Sequence, residues 1–191
     1  MEKIKWVTTI ILLILCIYGT AQGNKFIRKG LLSSQLTFSP SYMVSDKQSY
    51  FYLHGGLEAF ISEKTSLNGE TYFLLGNIGA ANPAFEYNHS TFFGASWHLN
   101  KNDHDFSLGI QPGISFTKLN ALKSSPIKTQ GGVNPLFSAV VAYKFYFFRF
   151  FHFFIQSRFI LGQHNYDVPR DISELRFSAG LGLNINTMKA E

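Results

Sequence analysis

The sequence predicts an all-β protein: an eight-stranded antiparallel up-and-down barrel that crosses a membrane, preceded by a signal peptide. Three observations predict it. Apolar residues recur at every second position through eight successive segments. The connections between those segments alternate short and long. Charged residues make up only 15% of the 191-residue chain while aromatics reach 16%, against about 25% charge in an average soluble domain. Much of the surface is therefore not built to meet water. The mean hydropathy of +0.03 is too low for a bundle of membrane helices, whereas a barrel wall is half polar without exposing that half to lipid.

The N-terminus reads as a secretory signal over residues 1–21. Lys3 and Lys5 form a basic start, residues 6–18 are a mostly apolar run, and Gly19-Thr20-Ala21 supplies small residues, so cleavage is expected after Ala21. The run is shorter than the roughly 20 apolar residues of a membrane span. Lipoprotein processing at Cys16 is not expected, because Leu15 stands where a small residue is needed and Cys16 lies inside the apolar run. Cys16 is the only cysteine. The mature domain, 22–191, is then expected to have no thiolate metal site, disulfide or cysteine nucleophile.

The strands follow in order, each with an apolar face and a polar face. The first sets Leu32, Leu36, Phe38, Tyr42 and Val44 against Ser33, Gln35, Thr37, Ser39 and Ser41. The second sets Phe51, Leu53, Leu57, Ala59 and Ile61 against Tyr52, His54, Glu58 and Ser62. In the third, Leu67, Thr71, Phe73 and Leu75 oppose Asn68, Glu70 and Tyr72. In the fourth, Phe93, Ala95, Trp97 and Leu99 oppose Ser90, Gly94, Ser96 and His98. The fifth is the clearest, with Phe106, Leu108, Ile110, Ile114 and Phe116 against Asp105, Ser107, Gly109, Gln111, Gly113 and Ser115. The sixth, over about 133–145, turns Phe137, Ala139, Val141, Tyr143 and Phe145 one way. The seventh places Phe151, Phe153, Ile155, Phe159 and Leu161 against His152, Gln156, Arg158 and Gly162. The eighth places Leu175, Phe177, Ala179, Leu181, Leu183 and Ile185 against Glu174, Arg176, Ser178, Gly180, Gly182 and Asn184.

Connections 62–65, 100–103 and 147–150 are tight; 77–88, 118–131 and 163–171 are long, mostly polar and carry Pro or Gly; only 45–49 is short on the long side. Bacterial outer-membrane barrels have short periplasmic turns, longer outer loops and an even strand number. Eight strands with both termini in the periplasm satisfy that pattern. A soluble barrel of lipocalin type also alternates, but there the polar face meets water. Here that face is Gly, Ser, Gln and Asn with few lysines, which suits a narrow lumen. Aromatics gather near strand ends, with Trp97, Phe106, Phe145, Phe151 and Phe153 low and Tyr42, Phe51, Phe73, Phe116 and Phe159 high, as in interfacial girdles. Pro40, Pro112 and Pro135 fall inside strands of a barrel that has no free edge. Pro40 and Pro135 are expected near outer rims and Pro112 at a bulge.

On these residues the chain resembles a known group. The stretch Phe60-Ile61-Ser62-Glu63-Lys64-Thr65-Ser66-Leu67, the segment 151–162 and Arg176-Phe177-Ser178-Ala179-Gly180-Leu181-Gly182-Leu183 resemble small outer-membrane β-barrel proteins of Bacteroidota, similar in architecture to the outer-membrane protein A and X superfamily. The resemblance covers nearly all of the mature chain through generic strand and turn patterns. It implies insertion by the barrel-insertion machinery among outer-membrane lipids and lipopolysaccharide. The ending Lys189-Ala190-Glu191 departs from the usual terminal aromatic.

Chemistry could sit in the lumen or the outer loops. Lumen charge is expected from Glu58, Glu70 and Arg158 near mid-strand, Glu174 and Arg176 higher, and Lys144 lower. Ions in a narrow low-dielectric interior must be paired, so a salt-bridged plug is expected, with Glu58 and Glu70 sharing Arg158. A gated ion path is the alternative. His54, His98 and His152 also point inward but on different strands and at different depths, so no metal or other cofactor is expected. A lipid-modifying enzyme would draw on His89 with Ser90, or His164 with Asp167 and Asp171, but no compact signature joins them. Asn88-His89-Ser90 is a chance glycosylation sequon. The net charge of +5 is scattered, so no nucleic acid is expected as a partner. Loop 77–88 offers Ile78, Phe85 and Tyr87 to a partner, and loop 118–131 carries Lys118, Lys123 and Lys128 with no acidic residue, which suits anionic lipopolysaccharide. The expected function is that of a non-enzymatic outer-membrane barrel that supports envelope integrity or presents Phe85, Tyr87, Lys123 and Lys128 to a surface or envelope partner. The alternatives are a lipid A-modifying enzyme and a small diffusion channel.

Overall fold

The structure, a computed structural model, describes residues 27, 29–120, 129–166 and 168–187. The signal segment and its cleavage site, Lys123, Lys128, Asp167 and the ending Lys189-Ala190-Glu191 lie outside the described residues. The strands are β1 (Leu31–Met43), β2 (Gln48–Phe60), β3 (Thr65–Ile78), β4 (Phe85–Lys101), β5 (His104–Leu119), β6 (Gly132–Phe148), β7 (Phe151–His164), the two-residue β8 (Arg170–Asp171) and β9 (Glu174–Asn186). Each long strand pairs antiparallel with its neighbours. β6 meets β7 and β9 meets β1, so eight strands close into a ring while β8 borders the C-terminal end of β7.

The alternation decides which side faces out. Leu57 (69% exposed), Leu36 (68%) and Phe93 (65%) project from the wall, whereas Glu58, Glu70, Arg158, Arg176 and His54, His98 and His152 are buried inside. A soluble barrel would show the reverse. An apolar exterior around a polar interior is the transmembrane arrangement, and each outward face named from the sequence is outward here. Ser62 is the exception on the polar side. It sits in the β2–β3 turn, where its hydroxyl accepts the Lys64 N–H at 3.1 Å.

The tight turns follow from local chemistry. Asn102 (φ 55°), in the two-residue β4–β5 turn, takes the left-handed region, which asparagine tolerates better than most side chains. The β6–β7 turn is Arg149 and Phe150. These turns and the β2–β3 turn lie at the end where Leu31 pairs with Asn186, so both ends of the described barrel share the short-turn side.

The prolines keep the register, which corrects the bulge expected at Pro112. The β4–β5 register is the same at Phe92↔Gly113 and Ala95↔Ile110, and Pro112 pairs regularly with Phe137. Only the pairs beside Pro112 are missing from the β4 side, as expected for a residue with no N–H. Pro40 likewise sits where the β1–β9 ladder lapses between Gln35↔Gly182 and Ser41↔Arg176. There Thr37 Oγ1 donates to the Ala179 carbonyl at 2.7 Å and Ser39 Oγ to the Phe177 carbonyl at 2.8 Å, so hydroxyls stitch the seam. Pro135 stands just above Leu136, where the β6–β7 ladder ends. The register shifts fall elsewhere, leaving Leu75, Glu86 and Phe147 as extra residues.

Candidate functional site

The lumen is a stack of three charged layers between two apolar plugs. In the lowest, Glu58 on β2 pairs with Lys144 on β6. Ser66 Oγ donates to Glu58 Oε1 at 2.7 Å and lies 2.8 Å from His98 Nε2, and His98 Nδ1 lies 2.8 Å from Asp105 Oδ2. Beside them His152 Nδ1 is 2.7 Å from Asn184 Oδ1, which also accepts from Ser33 Oγ.

In the middle layer Arg158 Nη2 on β7 reaches Glu70 Oε1 on β3 at 2.6 Å. Gln156 Nε2 donates to Glu70 Oε2 at 2.7 Å, and His54 Nε2 lies 2.9 Å from the same oxygen. Arg158 also donates to Ser138 Oγ and Gln111 Oε1, with its guanidinium 4.4 Å from the Phe92 ring centroid. In the upper layer Arg176 Nη2 donates to Glu174 Oε2 at 2.8 Å and Nη1 to Ser90 Oγ at 2.7 Å. Its guanidinium lies 4.0 Å from the Tyr52 ring and 4.5 Å from the Tyr72 ring. Cation–π contact and charge-assisted hydrogen bonds together offset the desolvation of each guanidinium.

This geometry corrects one expectation. Glu58 and Glu70 do not share Arg158: Glu70 holds it, and Glu58 is satisfied one layer lower by Lys144 and Ser66. Asp105 and Ser66 belong to the lower layer, although their part in it was not expected. The signal for Asp105 was its inward parity on the strand beside His98, two positions from Ser107, the residue that pairs with His98.

The mouth at the long-connection end is closed by Met43, Tyr50, Phe85, Leu119, Leu136, Ile160 and Ile172. Phe85 is therefore corrected as a partner contact. It opens β4 at 3% exposure and packs edge-on to Tyr50 at 5.3 Å. The extra residue Glu86 flips the alternation there, so Phe85 faces the lumen while Tyr87, two positions on, faces outward half-buried and stacks on His89 at 5.8 Å. The Ala84 N–H donates to Tyr50 Oη at 3.0 Å, tying the β3–β4 loop over the mouth. Ile27, Leu31, Phe60 and Tyr146 close the other end. Between the lower and middle layers remains a cavity of about 20 Å³ bordered by Gln35, Asn68, Ser96, Ser107 and Gln156, room for about one water.

Of the enzymatic sets, His89 with Ser90 does not assemble, and the pairing of His164 with Asp167 falls outside the described residues. His89 and Ser90 lie on opposite faces of β4: His89 Nδ1 accepts the Leu74 N–H at 3.1 Å, while Ser90 is held inside by Arg176. His164 is buried at the C-terminal end of β7, whereas Asp171 is exposed and accepts the Ser173 N–H. His54, His98 and His152 each keep a separate partner, Glu70, Asp105 and Asn184 respectively.

Solved structures of similar shape are outer-membrane barrels. The chain is similar to the outer membrane protein OprG from Pseudomonas aeruginosa, with a TM-score of 0.64 and 10% identity over 86% of this chain and 100% of that one. It is similar to Neisserial surface protein A (TM-score 0.62, 7% identity, 80% and 95% of the two chains). It is also similar to the N-terminal β-barrel domain of Pseudomonas aeruginosa OprF (TM-score 0.58, 11% identity, 82% and 98%). Neither a family model nor a curated protein sequence matches it. At these identities the likeness shows the fold, a closed eight-stranded barrel of the outer-membrane type.

Proposed function

We propose that this protein is a non-enzymatic outer-membrane scaffold, exported by a signal peptide removed after Ala21. Its termini and short turns face the periplasm and its longer connections face outward, following the usual asymmetry of such barrels. Outer-membrane lipids and lipopolysaccharide surround the wall, and the barrel-insertion machinery places it there. Its work is structural support of the envelope or contact with a surface or envelope partner through the outer connections. Tyr87, Lys123 and Lys128 remain the candidate contacts.

The observation that carries this reading is the filled lumen. Three paired layers between two apolar plugs leave a cavity of about 20 Å³, which supports a plug over a diffusion channel. The separation of His89 from Ser90 by the strand itself counts against the lipid-modifying reading. The test is reconstitution of the full-length protein in planar bilayers. No steady conductance is expected; reproducible ohmic openings of the purified protein would replace the scaffold reading with the channel.

A further inference from the structure

Among the described residues the lumen buries four carboxylates, Glu58, Glu70, Asp105 and Glu174, and three side chains of fixed positive charge, Lys144, Arg158 and Arg176. An unbalanced charge is strongly disfavoured in a low-dielectric interior. Arg158 serves Glu70, Arg176 serves Glu174 and Lys144 serves Glu58. Among the described residues Asp105 has no such cation; its partner is the imidazole of His98.

The hydrogen-bond pattern singles out the same ring. Of His54, His98 and His152, only His98 has oxygen partners at both nitrogens: Asp105 at Nδ1, and Ser66 (2.8 Å) and Glu58 (3.3 Å) at Nε2. With both nitrogens protonated, Nδ1–H donates to Asp105, Nε2–H to Ser66 Oγ, and the Ser66 hydroxyl to Glu58. Every donor then meets an acceptor. A neutral ring bonded to Asp105 would point its Nε2 lone pair at Glu58 and draw the Ser66 proton away from that carboxylate. His54 and His152 differ. His54 Nδ1 and His152 Nε2 have no hydrogen-bond partner among the described residues, so neither ring is held at both nitrogens.

We propose that His98 is a proton-binding site, holding a buried proton that balances Asp105 and ties β2, β3, β4 and β5 together at the short-turn end. The groups facing it are Glu58 of β2, Ser66 of β3, Asp105 of β5, Lys144 and Tyr146 of β6 and, farther off, His152 of β7. Lys144 opposes the proton, but its ammonium is engaged by the other oxygen of Glu58. The Phe60 ring, 4.6 Å from the imidazole, seals the site from below. The order Ser66–His98–Asp105 is that of a nucleophilic relay. A ring already protonated at Nε2 cannot take the serine proton, so the arrangement acts as a lock. The lock is lost when rising pH withdraws the proton from the folded barrel.

The test uses the full-length, ¹⁵N-labelled protein folded in detergent micelles. At about pH 7 the imidazole spectrum should show two ring N–H groups for His98, with the His98 signals assigned by their loss in His98→Gln. Urea unfolding midpoints should fall from about pH 6 to about pH 9 in the wild type and stay level in His98→Gln. The double variant His98→Gln/Asp105→Asn should regain most of the midpoint lost by His98→Gln, because it removes the orphaned acid. A single N–H on His98 at neutral pH overturns the proposal, and so does a double variant no more stable than the single one. Should His98→Gln fail to fold, through-bond assignment of the wild-type imidazole signals replaces it, and the wild-type spectrum with its pH series decides.

Discussion

Arg158 touches Glu70, Ser138, Gln111 and the rings of Tyr72 and Phe92 from one buried position. Truncating it to alanine leaves the Glu70 carboxylate buried without its fixed cation, a loss of about 3–5 kcal/mol. Urea titration of the folded barrel in liposomes measures this at neutral pH, and an Arg158→Ala barrel as stable as wild type would remove the ion pair as a stabilising element. Replacing both partners, Arg158→Met with Glu70→Gln, should cost less than Arg158→Ala alone, because no charge is stranded. The residue types of this network and their inward direction were legible in the sequence, since parity alone sets them. Partnership across the lumen was not. Pairing fixes the level of a residue only against its strand neighbours, whereas facing strands are offset by the accumulated stagger of the barrel. That offset puts Glu70 opposite Arg158 and drops Glu58 to Lys144.

A strand repeats one contrast along its length, and β9 is the plainest case. Leu181 projects outward at 61% exposure, while Ser178 points inward at 3% and its Oγ donates to Ser39 Oγ. Leu181→Arg should therefore destabilise the barrel in lipid by about 2–4 kcal/mol if it lies near the bilayer midplane. Ser178→Arg should act through crowding beneath Arg176 and depend little on lipid. Paired folding titrations in bilayers of differing thickness separate the two, and a harmless Leu181→Arg would contradict a lipid-facing wall. The strands, their faces and the tight turns were legible because each is a local pattern. The bulges were not, since an extra residue such as Glu86 carries no mark in an alternating sequence, yet it reverses Phe85 from the outside to the lumen. Pro112 misled in the opposite way: the register runs through it unchanged, and the sheet simply omits the pairs beside it.

Closure makes the barrel independent of its outer connections. Every long strand finds both neighbours within the ring, and three charged layers fill the interior. Of the β3–β4 loop, the Asn82 carbonyl accepts from Gln48 Nε2 and the Pro83 carbonyl from Asn120 Nδ2, while Ala84 bonds Tyr50 and Phe85 enters the plug. Residues 79–81 are the part of that loop to replace, with 82–85 kept, and in the other long connection 121–128, each in favour of a two-residue Asn-Gly turn. The shortened protein should keep the heat-modifiable gel migration of a folded barrel, because no lumen ion pair or wall ladder is lost. Loops longer than closure requires commonly carry function, and 121–128 includes Lys123 and Lys128, cations suited to lipopolysaccharide phosphates or an acidic partner. A strain carrying only the shortened barrel should therefore behave like a deletion strain in envelope-stress and surface-binding assays, despite normal amounts of folded protein in the outer membrane. Charge reversal, Lys123→Glu with Lys128→Glu in the full-length chain, should reproduce that defect if anionic contact is the reason for the loop. Full complementation by the shortened barrel would move the function to the wall or the lumen, where the apolar face and the proton held at His98 would be the next places to look.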